Sequence, residues 1–299
     1  MKDCKELAAA HPEIAKEAPY SFLTRTTIGC GGYADVGFFP KDYSELLSLV
    51  DDCRKHAIPY CVVGNLSNVL PPDGQFRGAV ISTLSLKGLG EGETVFAEAG
   101  VKSGELLDFC VRHGRTGAEF LAGVPCTVGG AVFMNARAAG RSISEIVESV
   151  IVYRSGRIRQ IDGAACGYGE KKSVFMHDES VILGASLRLG KATSETVRNR
   201  REEVLEKRRS QPKGRSMGCI FKNPEGDYAG RLIEGAGLKG LRVGGALISP
   251  EHANFIINEG GATAANIRAL INLIKNAVYA QYGVALEEEI RTIDERGIR

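Results

Sequence analysis

Residues 118–136 read Ala-Glu-Phe-Leu-Ala-Gly-Val-Pro-Cys-Thr-Val-Gly-Gly-Ala-Val-Phe-Met-Asn-Ala, and no ordinary core element is built this way. Gly123, Gly129 and Gly130 sit among small apolar residues, with Pro125 and Thr127 between them. Glycine inside a strand or helix costs about 0.5–1 kcal/mol relative to alanine. It is used where the backbone takes positive φ or must approach another surface closely. A flat cofactor is such a surface, because amides unshielded by a Cβ can line up on phosphate oxygens or ring edges. The same composition also suits a tight loop between two core strands.

On the N-terminal side, Asp42 followed by Glu45 has the form of a capping box. Leu46, Leu47, Val50 and Cys53 then repeat at helical spacing, and Pro59 ends the helix. Tyr60 to Val63 reads as a strand and Gly64 to Asn68 as the loop after it. Gly78 to Ile81 and Val95 to Ala99 read as further strands. Ser103 is expected to cap a helix carrying Leu106, Leu107, Cys110 and Val111, with Gly114 as its stop. Beyond the glycine-rich segment, Val147 to Val152 and Val181 to Leu189 have strand character. The charged run from Ser194 to Arg209, with Val197, Val204 and Leu205 on one side, predicts a surface helix joining two domains. Thr263 caps a last helix whose apolar face is Ile267, Leu270, Ile271, Ile274 and Val278. Helices and strands in this order predict an α+β fold rather than one doubly wound sheet.

Gly235-Ala-Gly237-Leu-Lys-Gly240 matches Gly-x-Gly-x-x-Gly literally. A dinucleotide fingerprint needs a strand before it and a helix after it; here a helical run, Ala229 to Glu234, precedes it and a strand-like run follows. A helix end and a turn are expected instead. In Gly218-Cys-Ile-Phe-Lys-Asn-Pro224, a strand would place Cys219, Phe221 and Asn223 on one face. A thiol and an amide aimed into one cleft could protonate and orient a substrate. A strand with a buried cysteine is the plainer alternative. Glu287, Glu288 and Glu289 open a strand-like run near the C-terminus, where such carboxylates are either solvated or catalytic.

The 299 residues allow two or three domains, and 43% hydrophobic with 25% charged residues is the composition of a soluble globular protein. A net charge of +2 gives no broad field for nucleic acid. Lys207-Arg208-Arg209 follows Glu202, Glu203 and Glu206 and reads as one solvated helix face. The N-terminal run Met-Lys-Asp-Cys-Lys-Glu has no signal-peptide core, and no stretch approaches the roughly 18 apolar residues that span a bilayer. The eight cysteines form no Cys-x-x-Cys pair and none has a histidine at zinc-ligand spacing. A cytoplasmic protein with mostly buried thiols and no metal is expected.

Several runs together resemble the UDP-N-acetylenolpyruvoylglucosamine reductase (MurB) family. They are Ile28-Gly-Cys-Gly-Gly-Tyr-Ala-Asp35, Gly64 to Asn68, Phe120 to Ala136, Arg208-Arg-Ser-Gln-Pro212, Gly218 to Pro224, Ala229 to Gly245, His252-Ala-Asn-Phe255 and Leu286 to Arg291. The resemblance spans about Thr26 to Arg291, and the length matches the shorter, type II form. It implies FAD held by a vanillyl-alcohol-oxidase/PCMH-like module of two subdomains, 1–82 and 83–192, and a substrate-binding domain over 193–299. It further implies NADPH as reductant and UDP-N-acetylglucosamine enolpyruvate as acceptor, in peptidoglycan precursor synthesis, by a cytoplasmic monomer. The cofactor carries the hydride chemistry, and the protein supplies position, positive charge and a proton. By the same resemblance, the proton donor falls on Cys219, the catalytic glutamate on Glu289 and substrate binding on Asn223 and Lys222. The flavin-contacting backbone falls on Gly64, Asn65, Leu66, Ser67 and Asn68, and on Gly123, Pro125, Thr127, Gly129, Gly130, Asn135 and Ala136.

The chain departs from the family pattern at four places. Cysteine stands at 219 for a serine; its thiol, with a reference pKa of about 8.5, gives up a proton more readily than a hydroxyl. The family's Phe-Gly-Tyr-Arg run is Tyr168-Gly169-Glu170-Lys171, so Lys171 takes an arginine's place without its planar grip on a carboxylate. Leu66 replaces a glycine, which predicts crowding or a forbidden positive φ. Arg137 replaces the glycine after Ala136, and either narrows the flavin pocket or adds positive charge. Two alternative readings therefore stand beside the reductase: an impaired paralogue that binds flavin or a UDP-sugar as a sensor, and a flavin oxidoreductase with another substrate.

Overall fold

Asp42 accepts the Glu45 N–H at 2.9 Å, while the Glu45 carboxylate accepts the Lys41 N–H at 2.9 Å. The expected start signal thus opens helix α1, Tyr43–Lys55. Its buried face is Leu46, Leu49, Val50 and Cys53. That is the i, i+3, i+4, i+7 stripe of a helix on a core, and it puts Leu49 where the sequence suggested Leu47. The computed structural model describes residues 3–298. Met1 and Lys2, part of the run read for a signal peptide, and Arg299 lie outside the described residues.

The chain forms two compact units. One holds Met1–Glu17, Gly37–Asn65 and Ala79–Arg209; the other holds Ala18–Val36, Leu66–Gly78 and Ser210–Arg299. In the first, strand β1 (Tyr60–Val63) runs parallel to the second half of β2 (Gln75–Ser82), in register from Tyr60 opposite Ala79 to Val63 opposite Ser82. An antiparallel sheet follows, built from β3 (Leu89–Glu91), β4 (Val95–Glu98), β5 (Val147–Arg154), β6 (Arg157–Asp162) and β7 (Val181–Leu187). Its order is β6-β5-β7-β4-β3. The edge strand β6 is exposed and carries Arg157 and Arg159, charges that discourage pairing with another chain.

Helix α2 (Ser103–His113) buries Leu106, Leu107, Phe109 and Cys110 and ends at Gly114 with φ +59°. Its cap is Lys102, not Ser103. The Ser103 hydroxyl donates instead to the Val124 carbonyl at 2.5 Å, and the Glu105 carboxylate takes the Lys102 N–H at 2.8 Å. Helix α3 (Val128–Met134) is the centre of the glycine-rich segment, so that segment is a short helix entered from a turn. Helix α4 (Ser194–Lys207) buries Val197, whereas Leu205, expected on the same apolar side, is 39% exposed.

The second unit holds α5 (Ala229–Gly235), the small antiparallel sheet β8 (Arg242–Val243), β9 (Ala246–Ile248) and β10 (Ile256–Asn258), and the long helix α6 (Ala264–Tyr282). Ile267, Leu270, Ile271, Ile274 and Val278 of α6 are all buried, in a core shared with Leu232, Ile233, Ile248 and Ile256. Thr263 caps α6 as expected, and Asp73 adds a second cap by accepting the Ala264 and Ala265 N–H groups at 2.6 and 2.8 Å. The Gly-x-Gly-x-x-Gly match is a helix end: α5 stops at Gly235, and Gly237 and Gly240 turn the chain with φ +73° and +80° before β8.

Candidate active site

The glycine-rich segment is held by backbone bonds to the turn that follows β4. The Val128 and Gly129 N–H groups donate to Val101 and Ala99 carbonyls at 2.8 and 2.9 Å. A Cβ on Gly129 would stand 2.8 Å from the Ala99 Cβ, closer than carbon atoms tolerate. Thr127 caps α3 by accepting the Gly130 N–H at 3.2 Å. A Cβ on Gly64 would lie 2.3 Å from the Thr127 hydroxyl, so the end of β1 closes directly onto this turn. The Asn65 amide donates to the Pro125 carbonyl at 2.9 Å. Gly64, Asn65, Pro125, Thr127, Gly129 and Gly130 therefore form one backbone-lined patch. Gly123 enters it with φ +74°.

Leu66 takes the left-handed conformation, with φ +49°, and its side chain is buried. Positive φ is thus not forbidden here but held against a cost of about 1–2 kcal/mol. In the second unit, the Ser67 carbonyl accepts the Thr27 hydroxyl at 3.4 Å, and the Asn68 amide donates to the Glu289 carbonyl at 3.1 Å.

Lys171 lies in a two-residue turn closed by Gly169 and Lys172, which exchange backbone bonds of 3.1 and 3.3 Å. Lys171 is half-buried with φ +50°; Glu170 beside it is exposed. The turn is fastened to the C-terminal end of α3. Asn135 caps that helix with φ +43°, donates from its amide to the Gly169 carbonyl at 2.7 Å, and accepts the Ser144 N–H at 3.2 Å. The Ser173 hydroxyl donates to the Phe133 carbonyl at 2.6 Å. Ala136 uses both backbone groups internally, to Ala131 and from Ile143. Arg137 is exposed on a short hairpin.

Cys219 sits in the second unit, half-buried, after Gly218 with φ +78°. The segment is not the regular strand the sequence suggested. It is pinned by isolated bridges, Cys219 to Phe255 and Phe221 to Glu288. Ile220 and Phe221 are both buried and Asn223 is exposed, so the expected common face of 219, 221 and 223 does not form. Asn223 instead accepts the Ala229 N–H at 3.1 Å and stiffens the entry to α5. Glu289 donates its N–H to the Ile220 carbonyl at 2.8 Å, which brings its backbone beside the residue following Cys219.

The three glutamates are differentiated by their surroundings. Glu287 is exposed and pairs with Lys222 at 3.1 Å. Glu288 bonds Arg268 at 2.5 Å and Lys275 at 2.6 Å. Burial pushes its carboxyl up, but the two cations together hold it below the ordinary carboxylate range. Of the eight cysteines, none is in a disulfide, and only Cys126 and Cys219 are more than minimally exposed. Burial pushes Cys53 and Cys61 up to about 12, which makes them inert.

Two buried asparagines carry roles that the sequence did not suggest. Asn258 donates to the Ile28 and Gly29 carbonyls at 2.9 and 2.8 Å and accepts N–H groups of Gly260 and Ala262. Asn254 bonds both backbone groups of Phe221. The available signal was an asparagine inside an otherwise apolar run, since a buried amide must find partners. Among the described residues, no cluster of His, Cys, Asp or Glu is placed to hold a metal, and no helix is long and apolar enough to cross a membrane.

Residues 34–162 match the family model described as an FAD binding domain, which together with the α+β architecture defines a flavoprotein of the PCMH-like class. Residues 211–293 match the C-terminal domain of UDP-N-acetylenolpyruvoylglucosamine reductase. The chain is 40% identical over 289 residues to the protein of that name from Geobacter metallireducens, covering 95% of each. It is 37% identical over 297 residues to that from Pediococcus pentosaceus, covering 97% of this chain and 98% of the relative. The crystal structure of the reductase (MurB) from Thermus caldophilus superposes with a TM-score of 0.79 at 34% identity, over 94% of this chain and 98% of that one. The chain belongs to the UDP-N-acetylenolpyruvoylglucosamine reductase family.

Proposed function

We propose that this protein reduces UDP-N-acetylglucosamine enolpyruvate to UDP-N-acetylmuramate with electrons from NADPH, in the cytoplasm, as a step of peptidoglycan precursor synthesis. The observation that carries the reading is the register that sets Glu289 beside the Cys219–Ile220 step, in a chain related over nearly its whole length to named reductases. Residues 1–82 and 83–192 serve as the FAD-binding subdomains and 193–299 as the substrate domain.

The backbone patch at Gly64, Asn65, Pro125, Thr127, Gly129 and Gly130 is read as the FAD site: a Cβ at Gly64 or Gly129 would collide with Thr127 or Ala99, so glycine there lets the segments close on one another and leaves backbone amides to meet a phosphate or ring edge. When bound, FAD supplies the hydride relay from NADPH to the terminal carbon of the enolpyruvyl group. Negative charge then develops on the adjacent carbon and its carboxylate. Lys171, whose backbone is held in its turn, meets that charge with its cation. Cys219 gives its Sγ proton to the adjacent carbon and recovers one from solvent. Glu289 orients the reacting group, and Lys222 and the exposed amide of Asn223 bind the UDP-sugar.

The test is a single turnover. The FAD-loaded protein is reduced anaerobically with NADPH and then mixed with the enolpyruvyl UDP-sugar. Rapid flavin reoxidation supports the reading. Reduced flavin that persists in the presence of the sugar but reoxidises with another acceptor overturns it in favour of a different oxidoreductase. A protein that binds the sugar and no flavin is the sensor of the alternative reading.

A further inference from the structure

We infer that Asn254 is a positioning residue for Cys219, acting as a one-residue substitute for a missing strand. The inference rests on the role of Cys219 proposed above. Segment 219–222 has a partner on each side. On one side it pairs with the glutamate run, through Lys222 N–H to the Glu287 carbonyl at 2.9 Å and Glu289 N–H to the Ile220 carbonyl at 2.8 Å. In that register the polar backbone groups of Phe221 point the other way. There no regular strand meets them. The Asn254 side chain does, accepting the Phe221 N–H at 2.9 Å and donating to the Phe221 carbonyl at 2.8 Å. The Asn254 carbonyl accepts the neighbouring Ile220 N–H at 2.9 Å.

The clamp has no slack. Asn254 is 3% exposed and Phe221 1%, so water cannot replace either side-chain bond. Asn254 is itself oriented, because its N–H donates to the His252 Nδ1 at 3.2 Å. That bond requires an unprotonated Nδ1 and so a neutral ring, in keeping with burial holding His252 below its usual range. Together with the Cys219–Phe255 bridge and the Asn254 carbonyl on Ile220, the Asn254 side-chain amide thus helps set the Cys219–Ile220 step, through Phe221 two residues from the thiol. A displacement of about 1 Å at a reacting group costs up to about 100-fold in rate.

Asn254→Asp keeps the acceptor for the Phe221 N–H but turns an oxygen toward the Phe221 carbonyl. With FAD bound, its reoxidation by the enolpyruvyl sugar is expected to slow at least about tenfold, while reduction by NADPH keeps the wild-type rate. In a Cys219→Ala background the same change should cost little further rate, because the two residues act as one unit. Asn254→Ser, whose hydroxyl can serve one Phe221 group at a time, should fall between and carries the comparison if Asn254→Asp does not fold. Equal slowing of both half-reactions, or full additivity with Cys219→Ala, overturns the positioning role. If Cys219→Ala alone leaves reoxidation unchanged, the proton-donor reading fails instead, and the two failures are distinct.

Discussion

The Asn135 side-chain amide donates to the Gly169 carbonyl at 2.7 Å, joining the end of helix α3 to the turn that carries Lys171. The helix that begins at the proposed flavin patch therefore ends by holding the turn of the proposed charge-stabilising lysine. Asn135→Gly tests this link without adding backbone strain, because glycine accepts the φ of +43° found there. The change removes both the Gly169 bond and the acceptor of the Ser144 N–H, so it should cost about 2 kcal/mol of stability and slow sugar-dependent flavin reoxidation about fivefold, the rate equivalent of about 1 kcal/mol. Unchanged reoxidation with the same loss of stability would make the bond purely structural.

Lys171 holds φ +50°, a cost that arginine would bear equally. Lys171→Arg therefore changes only the head group. Turnover should be maintained or raised, since guanidinium grips a carboxylate through two bonds. A loss beyond about tenfold would mean the turn is fitted to an ammonium group.

Leu66 presents two opposing effects. Leu66→Gly relieves about 1–2 kcal/mol of left-handed strain. It also deletes a buried side chain, worth about 2–5 kcal/mol on the leucine-to-alanine scale, and loosens the unfolded chain. Burial wins, so the variant should be less stable by about 1–3 kcal/mol in urea denaturation, with an unchanged slope. A stabilised variant would show that strain outweighs burial at this position.

Cys219→Ala should leave flavin reduction by NADPH intact and slow reoxidation by the sugar about 10²–10⁴-fold, the range of general acid catalysis. Glu289→Gln should also slow reoxidation. Equal losses in both half-reactions would reject the proton-donor role of Cys219. An unaffected rate in Glu289→Gln would turn attention to Glu287, which lies exposed in its pair with Lys222.

Glu288 gives a stability prediction with a definite sign. Its folded carboxyl titrates below the reference of 4.5, because Arg268 and Lys275 outweigh its burial. A depressed carboxylate stabilises the fold above its unfolded pKa, and that contribution is lost as pH falls through the folded value. Glu288→Gln should therefore be less stable than the wild type by about 1 kcal/mol at pH 7, and the difference should vanish on acidification below the ordinary carboxylate range. A difference independent of pH would contradict the ion-pair account.

Much of the architecture was written locally. The Asp42 cap, the Thr263 cap and the α6 stripe specify their elements within a few residues and form as read, although the Glu45 carboxylate takes the Lys41 N–H where a full capping box would take that of Asp42. The non-fingerprint at Gly235–Gly240 was legible for the same reason, from the helix preceding it. Local pattern failed where distant groups compete. Ser103 looked like a cap, but its hydroxyl is drawn to Val124, twenty-one residues on. Segment 218–224 looked like an alternating strand, but its geometry is dictated by Asn254 and the glutamate run. Leu66 looked incompatible with positive φ until burial of its side chain was weighed against strain. At the candidate site, residue types and order were readable, whereas the amides of Asn68, Asn135 and Asn254 that fix them were not. An asparagine's partner is chosen by the tertiary fold, and its spacing carries no trace of that choice.

The most direct test of the reductase reading is anaerobic NADPH consumption by the FAD-loaded protein, with and without UDP-N-acetylglucosamine enolpyruvate. Consumption that depends on the enolpyruvyl sugar and yields UDP-N-acetylmuramate mole for mole is the predicted result. Flavin that remains bound while NADPH consumption ignores the sugar, with no UDP-N-acetylmuramate formed, would contradict it.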